Sequence, residues 1–207
     1  KKRYRKSTPL GSTLFSKSQL MKLKYTERTF IDAAAAGVPT TIIYRANDVY
    51  DPNYTGVGHQ PRGFDQIMPF FNHFTVLGSK LSLKISSADA SYSNLVAVIV
   101  SDDVTAPTDG DDYLERPGCV SRAIGLSSAN NATSMTKSFS TKRFFGRKSV
   151  TSDSALRGNA AGGPTEQAYY HIGNMALNGV TDTGTVDVLV ELEYIVLFQE
   201  PNLIAKS

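Results

Sequence analysis

The sequence predicts an all-β fold: an eight-stranded antiparallel jelly-roll sandwich with long loops and a basic N-terminal arm. Three observations carry this expectation. Two-residue alternation of apolar and polar side chains dominates wherever a pattern can be read. The runs that show it number about eight and are separated by long polar loops, which is the jelly-roll pattern of two antiparallel sheets. No repeat at a fixed period points instead to a propeller or a solenoid. Sandwiches with other Greek-key wirings share the same alternation, because periodicity does not reveal strand order.

The first run, 20–31, sets Met21, Leu23, Tyr25 and Ile31 on one face and Lys22, Lys24 and Arg28 on the other. Residues 41–50 begin rich in β-branched and aromatic side chains, then pass through Asp51 and Pro52 into a glycine-bearing loop at 56–61. Phe64, Ile67, Met68 and Phe71 have the spacing of a helical turn, which Pro69 keeps short. In 74–86, Leu77, Leu81, Leu83 and Ile85 face one way and Lys80 and Lys84 the other. The unbroken apolar run within 92–101 is that of a fully buried strand. An acidic loop follows over 102–115, and weaker strands are expected at 118–126, 134–148 and 167–177. The last run is the clearest. Val186, Val188, Val190, Leu192, Tyr194, Val196 and Phe198 share one face, opposite Asp187, Glu191 and Glu193, and Pro201 ends it.

A chain of 207 residues suits one domain and can bury a substantial core without staples. The single cysteine, Cys119, excludes an internal disulfide framework and a Cys-rich zinc site, and it fits a reducing compartment. No apolar stretch approaches the ~18 residues that a membrane span needs, so membrane insertion is not expected. The basic start is not followed by a hydrophobic signal core, so a secretory leader is not expected either.

The net charge of +3 conceals an asymmetry. Lys1, Lys2, Arg3, Arg5 and Lys6 are five of the 22 basic residues, and residues 1–6 hold none of the 19 acidic ones. Seventeen basic against nineteen acidic residues remain, a body at −2. The chain therefore divides into a basic arm, 1–17, and a single domain, 18–207. Such an arm suits a polyanionic partner, nucleic acid or membrane, or else serves as a solubilising or targeting tail.

Enzyme signatures are mostly missing, and no catalytic residue, metal ligand set or cofactor is expected. His59, His73 and His171 lack the spacings of a zincin or cupin metal site. Neither a dinucleotide fingerprint, a phosphate loop nor a nucleophile elbow occurs. Asp51 and His59 are read as a turn former and a satisfied loop histidine rather than a catalytic pair. The carboxylates Asp102, Asp103, Asp109, Asp111, Asp112 and Glu115 do not match the EF-hand spacing, and a solvated loop is expected over a calcium site. The glycosylation-acceptor patterns at Asn53 and Asn131 are read as chance.

Three stretches carry a resemblance. They are Tyr-Arg-Ala-Asn-Asp-Val-Tyr-Asp-Pro-Asn at 44–53, Gly-His-Gln-Pro-Arg-Gly-Phe-Asp-Gln at 58–66, and Phe-Thr-Val-Leu-Gly-Ser-Lys at 74–80. Together they resemble capsid proteins of small circular single-stranded DNA viruses, the CRESS-DNA group. The residue-level likeness spans 44–80, and the arm and strand series extend it in layout over nearly the whole chain. A closely similar jelly roll also occurs in small RNA-virus and satellite coats.

The resemblance implies a T=1 icosahedral shell of about sixty identical subunits, closed by symmetry. Its arm faces inward toward the genome, expected to be single-stranded DNA. The implied partners are other copies of this chain and that genome, with the host receptor unidentified. The implied location is the virion, with passage through the host nucleus during assembly. In the wiring of such coats the last strand lies between the first strand and the 74–86 strand. Asp187, Glu191 and Glu193 would then neutralise Lys22, Lys24, Arg28, Lys80 and Lys84 within the protein.

The 137–148 segment has no such compensation among its own residues. Lys137, Lys142, Arg143, Arg147 and Lys148 are interleaved with Phe139, Phe144 and Phe145. Unpaired cations beside aromatic faces suit single-stranded nucleic acid. The other reading makes the aromatics core or subunit contacts and the cations a solvated edge. Candidate nucleic-acid-binding residues are therefore the five arm cations together with Lys142, Arg143, Arg147 and Lys148. A jelly-roll ligand- or carbohydrate-binding module is the alternative from another functional class.

Overall fold

The computed structural model describes residues 16–34, 37–88, 90–127, 132–180 and 184–202. Nine strands occur among them: β1 (Ser18–Ile31), β2 (Thr40–Arg45), β3 (Phe71–Ser87), β4 (Asn94–Ser101), β5 (Val120–Ile124), β6 (Thr133–Ser140), β7 (Arg157–Gly158), β8 (Tyr169–Ala176) and β9 (Val186–Pro201). Three short helices, α1 (Phe64–Ile67), α2 (Gly110–Glu115) and α3 (Thr141–Phe144), lie in the connections. One sheet runs β1-β9-β3-β6, with the two-residue β7 added against β3, and the other runs β2-β8-β4-β5. All pairings are antiparallel. The eight long strands therefore form the expected jelly-roll sandwich, with the last strand inserted between the first and the third.

The core forms because each sheet turns one face of alternating side chains inward. From the first sheet come Leu23, Tyr25, Leu81, Leu83 and the whole series from Val186 to Phe198, each no more than 4% exposed. Tyr44, Val96, Val98, Tyr170 and Ile172 meet them from the second sheet.

The apolar run of β4 has a specific cause. Val96 and Val98 face the main core, whereas Ala97 and Ile99 form a second cluster with Tyr113 and Met175. Tyr113 belongs to α2, so part of the expected acidic loop is a helix that covers the outer face of the second sheet. Gly173 makes this possible: a Cβ there would stand 2.9 Å from the Tyr113 ring. The Tyr113 hydroxyl lies 2.6 Å from that of Thr41.

Two expectations are corrected. Leu77 does not share the inward phase of Leu81, because a β-bulge shifts the register between Val76 and Gly78. Phe74 and Val76 are buried before the bulge, Leu81, Leu83 and Ile85 after it, and Leu77 is only partly buried. The strand expected over 134–148 ends at Ser140. Its pairing with β3 reaches Gly78, where the bulge interrupts the ladder. There the buried Thr141 hydroxyl donates to the Val76 carbonyl at 2.6 Å, and the chain turns into α3. At the expected helical turn, α1 is followed by a 3-10 turn, Met68–Phe70, with Pro69 near its start.

Candidate nucleic-acid interface

The loop after β2 is stapled by polar contacts. Arg45 pairs with Asp51 at 2.7 Å and lies 5.1 Å from the centre of the Tyr54 ring. The buried Asn47 donates to the Glu166 carbonyl at 2.9 Å and accepts from the Ala168 amide at 2.8 Å, which ties the loop to the start of β8. Asn53 donates to Glu27, which also accepts from the hydroxyls of Tyr25 at 2.5 Å and Tyr44 at 3.0 Å. The 44–53 residues that carry the sequence resemblance therefore hold the loop in shape. Asp51 is engaged by Arg45, while His59 stacks on Tyr25 at 4.6 Å and sets its Nε2 3.1 Å from the Thr26 carbonyl. Asn53 is buried, and Asn131 lies outside the described residues.

The acidic segment serves local structure. Asp103 accepts from the Thr105 amide, Asp109 caps α2 by accepting from the Asp111 amide, and Asp112 pairs with Arg116. No group of three or more metal-binding side chains occurs among the described residues.

On the outer face of the first sheet, the acidic strand lies between the basic ones. Lys22 meets Glu193 at 2.8 Å, and Glu191 takes Lys24 at 2.5 Å and Lys84 at 3.7 Å. The hydrogen bond from Lys24 holds the Glu191 carboxyl below its usual range, and that from Lys22 does the same for Glu193. Lys80 stands opposite Glu193 in the β3–β9 register and adds to that effect. Arg28 departs from the expectation. Its neighbour on β9 is Leu189, Asp187 is flanked by Phe30 and Ser86, and no ion pair to Arg28 forms among the described residues.

The arm cations Lys1, Lys2, Arg3, Arg5 and Lys6 lie outside the described residues. In the 137–148 segment the cations and aromatics separate into two groups. Phe139 is core, edge-on to Tyr170, and Phe145 is partly buried. Arg147 is not the unpaired cation that the sequence suggested: it meets Asp153 at 3.1 Å and Glu166 at 2.6 Å. Lys137 donates to the Gly118 carbonyl. Lys142, Arg143 and Lys148 are exposed and have no ion pair among the described residues, and Phe144 is 37% exposed. Arg143 and Phe144 border a groove of about 350 Å³ that Val100 and Pro117 also line. The sequence reading missed this groove, because Val100 and Pro117 reach it from other strands and loops.

The same fold occurs in solved viral structures. The BFDV capsid protein in a decameric crystal form shares 11% identity over 88% of this chain and 99% of that chain, with a TM-score of 0.50. The mud crab tombus-like virus structure shares 12% identity over 91% of this chain and 92% of that chain, also at 0.50. At such identities the likeness establishes the architecture: this is a jelly-roll sandwich of the kind found in viral capsids. No protein-family model and no curated protein sequence matches the chain.

Proposed function

We propose that this chain is a viral capsid protein that assembles with copies of itself into a small icosahedral shell around a nucleic-acid genome. The observation that carries this reading is the strand order β1-β9-β3-β6 over β2-β8-β4-β5, in a fold shared with the BFDV capsid protein. The charge distribution supports packaging. Five cations within residues 1–6 precede a near-neutral body, and each can offset a phosphate. Lys142, Arg143 and Lys148 supply a second set of unpaired charges, while Arg147 holds the segment to Asp153 and Glu166. The motif at 44–80 favours single-stranded DNA as the genome, a T=1 shell of about sixty subunits related by closed symmetry, and assembly in the host nucleus.

Negative-stain microscopy of the purified chain, with absorbance at 260 and 280 nm, tests this reading. Uniform particles containing nucleic acid are expected. A chain that stays monomeric at high concentration across pH and salt overturns the proposal. A specific hit on a glycan array without particles would assign the fold to carbohydrate recognition instead.

A further inference from the structure

We infer that the groove beside α3 is a binding site for one unstacked nucleobase of a single strand, with Phe144 as its stacking platform. This rests on the genome-binding reading above and deepens it from a charge contact to a site with a shape. The groove is built by three separate stretches of the chain, the last of them running from β6 into α3. Val100 comes from β4, Pro117 from the loop after α2, Lys137 and Ser138 from β6, and Arg143 and Phe144 from α3. Its volume of about 350 Å³ lies at the lower end of the small-ligand cleft range.

Charge selects the occupant. The lining includes two cations and no carboxylate. Lys137 is fixed by its bond to the Gly118 carbonyl, and Arg143 has no acidic partner among the described residues. Phe144 supplies the other half of the recognition. Its ring is steadied by Phe139 at 5.3 Å and Phe145 at 5.0 Å, yet keeps 37% of its surface exposed. A partly exposed aromatic in a groove whose only charged side chains are cations matches a base attached to a phosphate. A duplex keeps its bases stacked on each other, so the site requires single-stranded nucleic acid.

The test uses the full chain and two fluorescent probes, an oligothymidine of about a dozen residues and an abasic strand of equal length and charge. The wild type is expected to bind the oligothymidine about tenfold more tightly than the abasic strand at equal salt. Phe144→Leu keeps the apolar packing on Phe139 but removes the π face. It should bring that ratio to about one and leave the salt slope unchanged. Arg143→Gln should keep the ratio and reduce the salt slope by about 0.7. A ratio of one in the wild type, or a ratio that survives in Phe144→Leu, overturns the base site while leaving genome binding by charge intact. Failure of the wild type to bind either strand at low salt overturns the genome-binding reading itself, and this site with it.

Discussion

Asn53 donates its side-chain amide to both carboxylate oxygens of Glu27, at 3.2 and 3.0 Å, and so joins the loop after β2 to the edge strand β1. Glu27 stands at an inward-phase position of β1, in line with Leu23, Tyr25 and Ile31. It remains there because three side chains supply donors to it. The loop bearing the 44–53 motif is thereby anchored by a partly buried carboxylate rather than by apolar packing.

Removing that anchor leaves two tyrosine hydroxyls and an amide without their acceptor. Glu27→Ala is expected to lower stability by about 2–4 kcal/mol, since hydrogen bonds to a charged group contribute roughly 1.5–3 kcal/mol each and do not add. Glu27→Gln, which keeps an acceptor oxygen, should lose less than half as much. Urea denaturation of both variants measures the difference, and equal losses would contradict the role given to the carboxylate.

Asp48 provides a pH-dependent contribution. It is 2% exposed, and burial pushes its carboxyl up to about 6, against the amide of Tyr50 and the charge of Arg45, which favour ionisation. The folded value lies above the unfolded one. Its stabilising contribution is therefore complete below about pH 4 and lost as pH rises through about 6. Asp48→Asn keeps an acceptor for Tyr50 and carries no charge. It should be more stable than the wild type at pH 7.5 by about 2–3 kcal/mol, with the difference vanishing near pH 4. The difference between the two stability curves is the proper readout, because Glu191 and Glu193, held low by their lysines, act in the opposite sense on acidification. A difference independent of pH would refute this assignment.

Arg147 and Lys148 are adjacent in sequence and have different duties. Arg147→Gln breaks the pairs to Asp153 and Glu166 and should lower stability slightly, with little change in affinity for single-stranded DNA. Lys148→Gln should leave stability unchanged and reduce the salt slope of binding by about 0.7. Chemical denaturation and salt-dependent binding of the two variants separate these effects. An affinity loss in the Arg147 variant as large as in the Lys148 variant would place both on the nucleic acid.

Deletion of residues 1–6 removes five charges without touching a described strand. Particles should still form, with packaged nucleic acid reduced and the salt slope of binding lowered by about 3–4. Absorbance at 260 and 280 nm of purified particles reads the outcome. Full packaging by the truncated chain would transfer the role from the arm to the body.

Much of the fold was legible because a half-buried strand must alternate. The parity of β9 named seven core residues from Val186 to Phe198, and the parity of β1 named Leu23, Tyr25 and Ile31. Where alternation broke, the reading failed. The bulge at Leu77 reverses parity within β3, and the same bulge ends the pairing of β6 before Lys142 and Arg143. The acidic character of 102–115 concealed Tyr113, a core residue on a helix too short to show a period. Glu27 was detectable in principle, as the one charged residue in the inward phase of β1.

The sequence by itself determined the core-facing side chains of the regular strands β1 and β9 and that the basic charge gathers at the start of the chain. Those properties are local: they follow from pleat geometry and from the counting of residues. Tertiary structure alone decided which charges remain free. Inserting β9 between β1 and β3 brings Glu191 to Lys24 and Glu193 to Lys22, and loop packing brings Glu166 to Arg147. Coulomb attraction and hydrogen bonding act over a few ångströms of space whatever the separation along the chain. A cation that looked unpaired among its sequence neighbours therefore found its partner only when the strands were assembled.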